Sequence, residues 1–220
     1  MFDQAMLALM GEGILETLYM TLASTLLAYV FGLPLGVLLV VTDEKGILPC
    51  KPLKAVLDVI VNVTRSIPFL ILMIAVIPFT RAVTGTSIGA NATVVPLVLA
   101  AIPFVGRMVE SSIREVDAGV VEAAQSMGAT PFQIICRVMI PEALPSLVNG
   151  AAIATTTILG YSAMAGAVGG GGLGVIAINY GYHRYQSDVM LVTIILLVII
   201  VQILQWIGTS LANRLDKKKV

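Results

Sequence analysis

The residues that could do chemistry are few and badly placed for it. Gly169, Gly171 and Gly174 have the G-x-G-x-x-G spacing of a dinucleotide-binding turn. That turn works only between a strand and a helix, where its amides meet a pyrophosphate. Here the run follows a long apolar stretch, so a nucleotide role is set aside. Gly160-Tyr161-Ser162-Ala163-Met164 places a serine as a nucleophile elbow does, but the closing glycine is missing. The single histidine, His183, is distant in the chain, so no Ser-His-Asp relay can be assembled. One histidine also removes every multi-histidine metal site, and Cys50 and Cys136 lack metal-ligand spacing. No G-x-x-x-x-G-K-[ST] phosphate loop occurs. The chain reads as having no catalytic chemistry of its own, which directs attention to the elements themselves.

Those elements are membrane helices. The chain of 220 residues is 58% apolar and only 12% charged, too few charges to cover a water-facing surface. With 13 basic and 13 acidic residues the net charge is zero, leaving no basic excess for nucleic acid. A bilayer core of about 30 Å needs about 20 helical residues. Charge-free stretches predict an all-α integral membrane protein with five spans, at about 15–41, 55–80, 90–113, 140–167 and 189–212. They form a single membrane domain over 13–212, followed by a basic tail at 213–220. The second span carries Asp58 and Arg65, so its membrane portion is expected to begin near Ser66, bent by Pro68 and Pro78. The first is read as a retained helix, because Asp3, Glu12 and Glu16 replace the basic leader of a signal peptide.

Charge asymmetry sets orientation. Lys45, Lys51, Lys54 and Arg65, then Arg107, Arg114 and Arg137, then Arg214 and Lys217 to Lys219 all fall on one side if the spans number five. Only Arg81 and Arg184 fall on the other. The N-terminus is therefore expected outside and the C-terminus in the cytoplasm, with both cysteines reduced. Arg65 is expected to snorkel at the cytoplasmic interface near Asp58. Lining an aqueous pathway is the alternative.

The cytoplasmic stretch 117–138 has more design than a connector needs. Arg107, Glu110 and Arg114 are spaced for charge pairing on a helix leaving the membrane. Asp117 can cap a short helix that Gly128 ends. Thr130 and Gln133 form a capping box, with Pro131 in the first helical position. Pro141 and Glu142 then open the fourth span. A helix, a glycine break and a second helix suit docking. The acidic character of the first helix argues against a lipid-surface role and favours a protein partner.

Glu122-Ala123-Ala124, three residues, Gly128, nine residues, then Val138-Met139-Ile140-Pro141 resembles the EAA motif of ABC-importer permeases. The chain departs from that consensus only by Val138 for Ile and Ile140 for Leu. The resemblance extends from about Gly13 to the fifth span and implies a type I ABC importer permease fold. It implies a bacterial cytoplasmic (inner) membrane protein that pairs with a second copy of itself. Two copies of an ABC ATPase subunit would seat the coupling region, with Glu122, Ala123, Ala124, Gly128, Ala129 and Pro141 as coupling residues. It implies no cofactor on this chain, ATP and magnesium being held by the ATPase. Within the amino-acid branch, Arg65-Ser66-Ile67-Pro68-Phe69, Thr80-Arg81 with Gly85-Thr86-Ser87-Ile88-Gly89, and the Gly160–Met164 and Gly171–Gly174 stretches look most like the methionine-importer permeases. That family imports L-methionine, often also D-methionine, delivered by an extracytoplasmic methionine-binding protein. Tyr161, Ser162 and Met164 are candidate gate or pathway residues. The alternatives are a type I permease for another small amino acid, an ATP-independent secondary transporter, and a non-transporting scaffold. The glycine run is either a gate element or a flexible turn, and Gly32-Leu33-Pro34-Leu35-Gly36 is a packing face.

Overall fold

In a computed structural model that describes residues 4–216, the chain is helical throughout its ordered elements. In order they are α1 (Gln4–Val41), α2 (Lys51–Ser66), α3 (Phe69–Ala75), α4 (Ile77–Thr84) and α5 (Ala90–Arg114). Then come α6 (Ala118–Ser126), α7 (Pro131–Ile134), α8 (Ile140–Ala165), α9 (Gly172–Ile176) and α10 (Ser187–Leu215). Four helical rods among the described residues are long and apolar enough to cross a bilayer: α1, α5, Pro131–Val168 and α10. A fifth crossing is broken, because α2 and α3 meet at 101°.

The glycines of α1 set its packing. A Cβ on Gly32 would stand 2.7 Å from Val105, and one on Gly36 would stand 2.5 Å from Val109. The expected packing face is therefore a close contact between α1 and α5, which run in the same direction. Along α5 and α8 the order reverses. Ser146 Oγ donates to Ser112 Oγ (3.1 Å) near one end, and Thr93 Oγ1 donates to Gly170 O (2.9 Å) at the other. Gly208 of α10 lies against Ala152 of α8. The end of α1, the stretch after α5 and the end of α10 consequently share one end of the molecule, here the loop end. Of the basic residues expected on one side, Lys45, Lys51, Lys54, Arg107, Arg114, Arg137 and Arg214 belong to segments at this end, while Arg65 does not. Asp3 and Lys217 to Lys219 lie outside the described residues.

The second crossing differs from expectation. Lys54 Nζ is 3.1 Å from Glu110 Oε1 near the loop end of α5. Phe69 stacks on Tyr161, four residues from the far end of α8, with ring centroids 4.8 Å apart. Twelve helical steps carry α2 from Lys54 to its end at Ser66, a rise of about 18 Å, and the contacts on α5 and α8 are about 20 Å apart in height. So α2 itself climbs beside α5, and Ser66 marks where the crossing bends rather than where it begins. Pro68 explains the bend, since the residue before proline is driven out of the helical region; Ile67 has φ −81°, ψ 122°. Arg65, in the last turn of α2, therefore stands far from the loop end, away from the other basic residues it was expected to join.

Two further boundaries moved. α1 begins at Gln4, well before residue 15. Pro141 does not open the fourth span, because the helix runs unbroken from Pro131 to Ala165. A π-helical turn at Ile135–Met139 absorbs the hydrogen bond that Pro141 cannot donate.

The glycine run is a packed junction rather than a flexible turn. Gly172 N–H donates to Glu16 Oε2 (2.6 Å), Leu173 N–H to Thr17 Oγ1 (2.9 Å) and Gly89 N–H to Gly169 O (2.9 Å). Gly171 and Gly172 have φ of 94° and 69°, which a side chain disfavours. Gly36→Leu is expected to separate α1 from α5 and destabilise by about 1–3 kcal/mol. Thermal unfolding in detergent would show a lower Tm; an unchanged Tm would contradict the close approach.

Candidate coupling and pathway site

The stretch after α5 folds as a capped helix, a glycine turn and a second capped helix. Asp117 Oδ1 accepts the Gly119 N–H at 2.7 Å. At the other end Gly128 N–H donates to Gln125 O (2.9 Å) and Ala129 N–H to Ala124 O (3.1 Å). This is the paired closure of a Schellman turn, and Gly128 has the φ of 75° it requires. Thr130 and Gln133 then exchange both bonds of a capping box. Each stop and start follows from the side chains the sequence analysis singled out.

Placement divides the candidate coupling residues. Glu122, Ala123 and Gly128 are exposed and available to a partner, while Ala129 is half-buried. Ala124 is 4% exposed and packs with Ile134 in the core, so its small size serves the chain's own packing. Pro141 is exposed but lies within the rod. Met127 at 81% and Phe132 at 74% flank the glycine turn and project outward. Sequence reading did not single them out, although large apolar residues beside a capped glycine turn were the available signal.

The candidate pathway residues do not form one cluster. Tyr161 stacks nearly flat on Phe69, joining α8 to α3. Ser162 is buried and donates to Leu159 O (2.8 Å) on its own helix. Met164 is exposed, on the same side of α8 as Gly160.

Beside the loop end sits a charge cluster of which the sequence suggested only the Arg107–Glu110–Arg114 part. Glu110, with a side chain 7% exposed, takes Lys54 Nζ at 3.1 Å, Arg107 Nη1 at 2.5 Å and Arg114 Nη2 at 2.9 Å. Asp58 holds Lys54 at 2.9 Å and Arg107 at 2.7 Å, and Asp43 pairs with Arg114. Asn62 Oδ1 accepts from Arg107 at 2.9 Å. Three carboxylates thus face three cations across the end of α1, α2 and α5. The hydrogen bond from Arg114 holds the Asp43 carboxyl below the usual carboxylate range. That pairing is therefore complete above the ordinary value and is lost only as pH falls through the lowered one.

The family described as binding-protein-dependent transport system inner membrane component matches residues 32–217. The chain belongs to that family. It is 51% identical over 203 residues to the probable D-methionine transport system permease protein MetI of Vibrio cholerae, covering 92% of this chain and 90% of that protein. It is 47% identical over 210 residues to the probable D-methionine transport system permease protein MetI of Pasteurella multocida, covering 96% and 97%. Among solved structures it is similar to a chain of the inward-facing MetNI methionine ABC transporter. The TM-score is 0.97 and the identity 47%, over 98% of this chain and 100% of that one. An amino acid ABC transporter with histidines shares the fold at a TM-score of 0.71 and 22% identity, over 97% of this chain and 99% of that one. As a member of this inner-membrane transport family, the chain carries its helix–glycine–helix element on a rod continuous with a membrane span.

Removing Glu110 tests the cluster. Glu110→Ala leaves three cations facing two carboxylates and is expected to cost roughly 3 kcal/mol, the lower end for a buried pair because Arg114 stays half exposed. Adding Lys54→Met should recover part of that loss. A double variant no more stable than Glu110→Ala in detergent unfolding would contradict the shared pairing.

Proposed function

We propose that the chain is the membrane-spanning permease subunit of an ATP-driven methionine importer, taking L-methionine and also D-methionine. The observation that carries this reading is the 51% identity, over 92% of the chain, to a protein named as a D-methionine permease. In this reading two copies of the chain form the membrane pathway. Two copies of a separate ATPase subunit bind ATP and magnesium, and an extracytoplasmic methionine-binding protein delivers the substrate. Membrane lipid surrounds the dimer.

The geometry supplies a means of transmission. Closure of the ATPase subunits pushes on the exposed side of α6 and on Met127 and Phe132. The Schellman turn fixes α6 against α7, so the push is not absorbed by a loose linker. Because Pro131 to Ala165 is one rod, displacement at α7 reaches Tyr161 and its stack with Phe69. Alternating access then follows as the two copies rock about the joined spans. ATP supplies the differential stability of the two states; the chain's residues supply only the lever.

Uptake of labelled L-methionine into proteoliposomes holding this chain, the ATPase and the binding protein tests the reading. ATP-dependent uptake blocked by unlabelled methionine is expected, and uptake indifferent to ATP would overturn it. Gly128→Val tests the lever. A β-branched residue at a φ of 75° is strained. Uptake should fall by about tenfold, the factor that 1.4 kcal/mol implies, while ATP hydrolysis persists. Wild-type uptake from Gly128→Val would remove the glycine turn from the mechanism.

A further inference from the structure

Arg65 is the one charged side chain of α2 without a hydrogen bond or ion pair among the described residues. Lys51 pairs with Glu44, while Lys54 and Asp58 belong to the Glu110 cluster. Arg65 is exposed, stands about 16 Å above Lys54 along the helix, and lies one turn before Phe69 and its stack with Tyr161. A guanidinium at that depth is costly against hydrocarbon, so it must look onto water or a partner group.

The faces of α2 decide which. At about 100° per residue, Arg65 lies within about 40° of Lys54 and Asp58 and nearly opposite Val56 and Val63. Val56 and Val63 are both more than half exposed and belong to a stripe of valine and isoleucine suited to lipid. Nearer the loop end, α5 covers the polar face through Arg107 and Glu110. At Arg65 that cover ends, and the neighbouring Ser66 is exposed as well. Arg65 therefore sits on the side of α2 that faces α5, opposite the valine stripe, one turn before the α3–α8 stack of Phe69 on Tyr161.

We propose that Arg65 binds the α-carboxylate of the amino-acid substrate as it passes between the spans. This rests on the import reading above and adds the residue that recognises the substrate's one constant anionic group. The planar fork of arginine matches a carboxylate with two parallel hydrogen bonds, which lysine cannot reproduce. The site deals with backbone chemistry and leaves the thioether to apolar neighbours.

The test uses the full complex in proteoliposomes with the binding protein saturated, comparing wild type, Arg65→Gln and Arg65→Lys. Uptake, ATP hydrolysis and the size of the assembled complex are read together. Arg65→Gln should keep assembly and ATP hydrolysis stimulated by the loaded binding protein, and lose uptake roughly ten- to a hundredfold. Arg65→Lys should retain assembly and an intermediate uptake. Wild-type uptake from Arg65→Gln, or equal uptake from Arg65→Lys and wild type, would overturn the assignment. Loss of assembly in both variants would instead assign Arg65 to a pair with the second copy, and would also overturn it. A wild-type complex that takes up no methionine would remove the import reading, and this inference with it.

Discussion

A carboxylate buried against three cations is the constraint around which the rest of the loop end is arranged. Glu110 stays charged in a place with little water only because Lys54, Arg107 and Arg114 surround it. Each cation comes with its own consequence. Lys54 brings α2 alongside α5, Arg107 ties Asp58 and Asn62 to the same spot, and Arg114 reaches back to Asp43 after α1. The six formal charges sum to zero, so the cluster buries no uncompensated charge. It fixes three helices at one height, and α8 joins them through apolar packing and the Ser146–Ser112 hydrogen bond rather than through charge.

That division of labour suits a lever. The close glycine contacts of α1 on α5 and the charge cluster make one rigid unit. The rod from Pro131 to Ala165 is the other, and at its loop end it carries the exposed glycine turn with Met127 and Phe132. The π-helical turn matters because it keeps Pro141 from breaking the rod. Without it the short helices would hang from a hinge, and a push on Met127 or Phe132 would be lost in bending.

Much of this was legible in the residues. Asp117, Gly128, Thr130, Gln133 and Pro131 announce their caps and turn by chemistry that acts over four residues, and the structure forms each one. The spans at α5 and α10 followed from length and apolarity. What local reasoning missed depends on neighbours distant in sequence. Asp58 looked like a partner for Arg65 on the same helix face, yet Arg107 and Lys54 take it. The glycine run stood open between a gate element and a flexible turn because its restraints come from Glu16, Thr17 and Gly89. Arg65 was placed at the wrong end because the bend at Pro68 is sharp enough to make α2, rather than the apolar stretch after it, the climbing segment.

The outward faces of α8 and α10 carry the last step. On α10, Leu191, Ile195, Val198 and Trp206 are each more than half exposed, a surface made for hydrocarbon. The open side of α8 is mixed, with Asn149, Ile153, Gly160 and Met164 exposed and Thr157 partly so. Lipid would gain little from such a face, and amide and hydroxyl groups there call for water or for another helix. A second copy brought against that side would shelter it while leaving a narrow polar space between the α8 rods. Tyr161, held by Phe69, and Arg65, one turn below that stack on α2, would stand beside the same space. The asymmetry between the two faces thus favours the α8 side of the chain for the second copy and the space between the copies.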